Sequence, residues 1–297
     1  MRDSRCEQHI YTPSRSERVT MTLVSGYLNS SQELLRSAIT QRRLLGALAR
    51  RDLSDEYVEH RLSLLWTLIL PLFSVAVYVF VFTEVFPSRV QAPSGFRTDA
   101  VIFLMAGIVP WMALAQTMGR ATTCIVNNAN IVRQMAFPLE LLPLKTLASP
   151  VVFLAVSLTA VVVYAAWISK GSIILVYAWG IPLLLMLSIT TFSGLALLLS
   201  ALQVFLRDTR EFVSMFLSIG LFVHPIFYLP DSVPEAVRGV LYVSPISQLI
   251  FCWHDILFYG GITRPSAWAA ACTFAVIVFV VGARLFMAAK PHFGDFV

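Results

Sequence analysis

An imidazole beside a carboxylate is a simple proton-transfer unit, and His254–Asp255 places one inside the apolar stretch 246–259. Used as an acid–base pair it would suit a membrane-embedded transferase. Used structurally, the same groups would be polar contacts that fix a short segment. A second histidine, His224, stands beside Pro225 in another apolar run and reads as a hydrogen-bonded core residue or a group lining a pore. Other chemistry is missing. The sequence has no GxxxxGK[ST] loop to cradle nucleotide phosphates, no HExxH zinc motif and no GxSxG nucleophile turn. Its cysteines (Cys6, Cys124, Cys252, Cys272) form no CxxC pair and are expected to be unbridged, and nothing has metal-ligand spacing.

The elements that would position these groups are membrane spans. Hydrophobic residues make up 57% of the chain and charged residues 13%, with a mean hydropathy of +0.74, whereas soluble domains carry about 25% charge. A span needs about 20 mainly apolar residues. Six stretches qualify: 62–82, 100–119, 146–168, 173–205, 212–229 and 267–287. Apart from His224 and Arg284 they hold no Asp, Glu, Lys, Arg or His, which argues against proton-coupled carriers and ion pumps, whose work needs such groups at depth. The fourth is over-long and contains Pro182, so a kink, tilt or protruding end is expected. Stretch 246–259 is too short and too polar to cross, and fits a re-entrant or interfacial helix.

Charge gives the orientation. Of the 22 Lys and Arg, 17 fall in the N-terminal segment, the loops after spans two and four, and the C-terminal end. The other five are Arg89, Arg97, Lys170, Arg238 and Arg264. The positive-inside rule places the larger set, and both termini, in the cytoplasm. The net charge of +5 thus marks topology and lipid-headgroup contact; no basic groove with interleaved aromatics suggests a nucleic-acid partner. No apolar run follows the N-terminal charges, so a cleaved signal peptide is not expected, and Met21 is an alternative start.

The expected organisation is a polar tail at 1–32, a cytoplasmic amphipathic helix at 33–61 and a six-helix transmembrane domain at 62–297, in an all-α fold with short helices between spans five and six. In the interface helix Leu34, Leu35, Ala38, Ile39, Leu45, Leu48, Ala49 and Leu53 recur at helical spacing. Arg50, Arg51 and Arg61 could meet phosphate oxygens or act only in topology. The chain has 21 Phe, 9 Tyr and 6 Trp. Trp66, Phe82, Trp111 and Trp268 lie near span ends, as interface belts do. Phe73, Tyr78, Phe222 and Tyr228 could line a passage, where aromatic faces stack on sugar rings, or simply pack.

The loop between spans two and three, "NNANIVRQMAFPLELLPL" at 127–144, is the most specific segment. Asn127, Asn128 and Asn130 suit turns and caps, Ile131, Val132, Met135 and Phe137 form a short apolar face, and Pro138 and Pro143 bracket a break. A short helix offered to a cytosolic partner has this pattern, as does a plain connector. The loop resembles the coupling region of type-2 ABC transporter permeases, in the branch that exports O-antigen, teichoic acid and capsular polysaccharides. Further segments share the resemblance. They are "ARRDLSDEYVEHRLSLLWTLILPLF" with Arg51–Asp52, Tyr57, Arg61, Trp66 and Pro71, "GIVPW" at 107–111, "LQVFLRDTREF" with Arg207–Asp208, "HPIFYLPDSVPEAVRGVLYVSPISQLI", and "KPHFGDFV" at the C-terminal end. Ser63, Leu139 and Ser244 depart from it, where the family often has Gly, a basic residue and Asn.

The resemblance implies a permease homodimer joined to two copies of a separate cytosolic ATPase. This chain would bind no cofactor, and ATP and Mg would sit on the partner. Asn127, Asn130, Arg133, Phe137, Pro138, Glu140, Arg51, Asp52, Tyr57, Arg207 and Asp208 would couple to that ATPase. Arg50, Arg61, Trp66, Phe73, Tyr78, Phe222 and Tyr228 would line the substrate path. Pro225, Pro245, His254 and Asp255 would shape an extracytoplasmic gate. The implied substrate is a glycan on a polyprenyl diphosphate, moved across a bacterial cytoplasmic membrane. A permease for drugs or small lipids, and a glycan-lipid transferase, are the alternatives.

Overall fold

A computed structural model describes residues 29–55, 63–85, 100–133, 137–169, 174–230 and 233–296, and among them there are helices and turns but no strand. The chain opens with α1 (29–40) and α2 (Arg42–Asp55). Amide bonds from Gln41 to Ser37 and from Leu45 to Gln41 carry the helical ladder across the join, so the amphipathic segment is nearly one rod. Leu34 faces inward and is buried, whereas Leu35 and Ile39 face out, as suits a helix lying along an interface.

Next come α3 (Ser63–Phe80), continued by a π turn at Val81–Val85, and α4 (Ala100–Thr123). The loop after α4 holds a 3₁₀ turn at Val126–Asn128, α5 (Ala129–Val132) and α6 (Leu141–Lys145). Then follow α7 (Ala148–Ser169), α8 (Ile174–Phe205) and α9 (Thr209–Val223). The last group is α10 (Glu235–Val243), α11 (Pro245–His254) with a π turn at Asp255–Tyr259, α12 (Pro265–Ala289), a 3₁₀ turn at Lys290–His292 and α13 (Phe293–Phe296).

Among the described residues four helical stretches are long and apolar enough to cross a membrane: Ala100–Thr123, Leu141–Ile168, Tyr177–Phe205 and Pro265–Phe296, which fall on α4, α7, α8 and α12. Of the first expected span, 62–82, α3 and its π turn cover residues 63–82; the fifth is shorter than expected. At 15 residues α9 rises about 22 Å, short of the roughly 30 Å hydrocarbon layer. The expected fifth span ran to residue 229, but His224 takes an extended ψ of 153° and ends the helix. Proline sterics are the cause: the ring of Pro225 disfavours helical backbone in the residue before it. By contrast α8 runs unbroken through Pro182 for 32 residues, about 48 Å, so the expected excess length is present.

At the centre α4 has Phe103, Met105, Ile108, Trp111 and Leu114 buried among α7, α8, α9 and α11. Between helices in lipid the hydrophobic drive is weak, and close van der Waals packing at small residues takes its place. The α8–α12 pair shows it: a Cβ on Gly194 would stand 2.5 Å from the Phe279 nitrogen, and one on Gly282 would collide with the Gly194 carbonyl oxygen. A second, smaller core gathers Leu34, Cys124, Ile125, Val132, Leu142, Phe286 and Phe293. It joins α1, the loop after α4 and the end of α12 at the basic end of the molecule.

Candidate functional site

Two ionic nodes organise that basic end. In the first, Asp52 of α2 pairs with Arg120 at the end of α4 and, at 3.1 Å, with Nζ of Lys145 in α6. In the second, Glu140 precedes α6 with its side chain 7% exposed. Its Oε2 accepts from Nζ of Lys290 at 2.7 Å and its Oε1 from Oγ of Ser37 at 2.7 Å. Burial alone would raise the Glu140 pKa. Hydrogen bonds from Lys290 and Ser37 overcome that and hold the carboxyl below the usual carboxylate range.

A polar cavity of about 320 Å³ opens beside the first node, lined by Asp52, Arg120, Asn127, Asn128 and Lys145 among others. Asn128 turns back to donate from Nδ2 to the Cys124 carbonyl at 2.7 Å, which steadies the loop as it leaves α4. Asn127, Asn130 and Arg133 present an exposed edge, while Phe137 packs against the smaller core. Pro138 is half-buried beside it. Arg50 and Arg51 are exposed on α2, and Arg207 and Asp208 form an exposed turn whose Asp208 carbonyl starts α9. Tyr57 and Arg61 lie outside the described residues.

From the sequence Arg120, Lys145 and Lys290 are only charges on the basic side of the membrane, and nothing marks Ser37. Their partners are distant along the chain: 68 residues separate Arg120 from Asp52 and 150 separate Lys290 from Glu140. No local spacing announces such pairs. The one local signal is Glu140, a carboxylate set among Leu139, Leu141 and Leu142; Asp52 lies in a charged run and gives none.

At the opposite end His254 and Asp255 are both buried, and each is committed to the fold. The His254 ring stacks on Phe103, centroids 4.2 Å apart, and its Nε2 donates to the Phe103 carbonyl at 3.0 Å. Asp255 accepts from the amides of Thr263 and Arg264, each at 3.1 Å, from the Thr263 hydroxyl, and from Nε1 of Trp268 at 2.9 Å. It thus braces the turn that leads into α12, reached over a reversal at Gly260, whose φ is 73°. Arg264 lies over the faces of Phe251 and Tyr259, 4.9 and 5.2 Å from their centroids. Pro245 opens α11 at its first turn. Neither an open acid–base pair nor a group of His, Cys, Asp and Glu able to hold a metal is present among the described residues.

The aromatic residues divide. Phe73 and Phe222 are exposed, Phe222 at 68% and stacked on Phe227 at 5.9 Å. Tyr78 packs on the larger core, and Tyr228 donates its hydroxyl to the Val223 carbonyl at 2.6 Å. Trp66 lies on α3. His224 is buried edge-on to Trp111, centroids 5.1 Å apart, and among the described residues neither ring nitrogen has a hydrogen-bond partner, so of the two expected roles, bonded core residue or pore lining, the first is not seen. Pro225 beside it is buried.

Residues 43–258 match the family described as ABC-2 type transporter. An O-antigen export system permease protein RfbA of Klebsiella pneumoniae is 27% identical over 252 residues, 85% of this chain and 94% of the relative. A second from the same organism is 25% identical over the same coverage. The RfbA of Myxococcus xanthus is 22% identical over 268 residues, 88% of this chain and 98% of its own. The match takes in α2 through the π turn after α11, more than half the chain, and the chain therefore belongs to the ABC-2 type transporter family.

Proposed function

We propose that this chain is the permease subunit of an ATP-driven exporter that moves lipid-linked polysaccharide out across a bacterial cytoplasmic membrane. The observation that carries the reading is likeness along nearly the whole length of relatives named as O-antigen export permeases. Family membership implies an ATPase partner. In this reading the ATPase is a separate subunit in two copies, carrying ATP and Mg, and the permease pairs with a second copy of itself. The exposed apolar stripe of α9 (Phe212, Met215, Ile219, Phe222) supports a face turned to another helix or to the conduit. The loop at 127–144 and helix α2 would meet the ATPase on the cytoplasmic side, with both termini there. A polyprenyl diphosphate with its glycan would be the cargo, and arginines at the basic end suit its phosphates.

The test is co-expression with an ATPase subunit encoded beside it, reading ATPase capture, ATP hydrolysis and surface polysaccharide together. Hydrolysis that depends on the permease, and surface polysaccharide that depends on both, are expected. ATP-driven movement of a small amphiphile with no effect on surface polysaccharide would replace the glycan reading with the drug or small-lipid one.

A further inference from the structure

The C-terminal segment KPHFGDFV has no part of its own in the proposed function. Lys290 begins the turn after α12, and its ammonium closes on a carboxylate 150 residues back in the loop before α6. The turn is itself anchored: Phe293 is fully buried, its ring 5.3 Å from Phe286. The other oxygen of Glu140 takes the Ser37 hydroxyl from α1. A second tie between the same two helices runs from Nη1 of Arg284 to Oγ of Ser30 at 3.4 Å. Both oxygens of Glu140 are therefore engaged within the chain. A carboxylate meant to dock on another subunit would be exposed; this one is inside, and charge-assisted bonds of this kind are short and strong.

We infer that Lys290 and Ser37, acting through Glu140, are positioning residues that lock the loop before α6 to α12 and α1, so that a push on the loop moves those helices instead of bending the loop. The inference rests on the proposed function, in which this loop meets the ATPase. Without Lys290 the buried carboxylate would lose its counter-charge and leave its site or take up a proton, and the loop would move independently of the last span.

The experiment uses the full permease with its ATPase in cells and in membranes, and compares Lys290→Met, Glu140→Gln, Lys290→Arg and the exchanged pair E140K/K290E. Surface polysaccharide per ATP hydrolysed should fall about fivefold or more in the first two, a typical coupling between linked sites. ATPase capture should be unchanged in both. Lys290→Arg should stay near wild type, and the exchanged pair should regain at least half of the loss. An unchanged ratio in Lys290→Met, an exchanged pair no better than the single variants, or loss of ATPase capture in Glu140→Gln would each overturn the inference, the last by making Glu140 a docking residue. Should Lys290→Met not accumulate, Ser37→Ala decides: a fall in the ratio at normal abundance supports the lock, and an unchanged ratio removes it. If the wild-type complex captures no ATPase and exports nothing, it is the proposed function that fails.

Discussion

Gly220 of α9 lies against the indole of Trp111 on α4, so close that a Cβ at 220 would stand 3.0 Å from Cζ2 and nearer still to Cη2. The ring is buried and hemmed in, and it cannot swing aside without disturbing His224. Gly220→Ala should therefore cost about 1–3 kcal/mol through overpacking. Thermal denaturation of the detergent-solubilised protein would measure it. Adding Trp111→Leu should return part of the loss, because neighbouring sites are not additive; a strictly additive double variant would refute the contact.

Asp255→Ala leaves four donors, including the Trp268 indole, without their acceptor. The expected loss is about 1–3 kcal/mol, the cost of one buried unsatisfied group, set by the Trp268 indole because the exposed Thr263 can turn to water. The protein should accumulate poorly and melt early. A variant that folds normally but has lost activity would instead revive a catalytic role for the His254–Asp255 pair.

Asp52 offsets the charge of Arg120 and Lys145 next to Cys124. Burial pushes the Cys124 thiol up to about 12, so its thiolate is scarce and alkylation should be slow. In a variant keeping Cys124 as its single cysteine, Asp52→Ala should unseat α2 and speed maleimide labelling by about tenfold, the effect of roughly 1.4 kcal/mol of lost protection. An unchanged rate would show that α2 stays seated without the ion pairs.

The sign of the pH effect at Glu140 follows from its lowered pKa. A carboxylate held below its unfolded value of 4.5 stabilises the fold above that pH, and the contribution fades as pH falls through the folded value. Amide exchange over residues 137–145 should therefore reflect an intact contact from neutral pH to about 4.5 and show extra opening below it. Glu140→Gln should remove that dependence. Extra opening that begins above 4.5 would mean the carboxyl is not held low.

Much of the architecture was legible because apolar length is a local property. The stretches that became α4, α7, α8 and α12 could be found by reading along the chain, and so could the amphipathic rod with Leu34 and Leu45. The true end of α9 was written in His224–Pro225, but apolar residues beyond it disguised the stop. The ionic nodes were not legible, since Ser37, Glu140 and Lys290 meet only when α1, the loop and α12 have packed. Asp255 misled for a different reason. Proximity to His254 in sequence suggested chemistry, whereas its partners lie eight to thirteen residues on, beyond the reversal at Gly260.

The backbone contact of Gly194 with Gly282 has a mechanical meaning. With no side chain between them, α8 and α12 have nothing to roll on, and a slip in register would drive a larger residue into the Gly194 carbonyl. These two helices therefore travel as one body, and a push that reaches α12 through Lys290 carries α8 with it. Sliding between helices is left to contacts outside this pair.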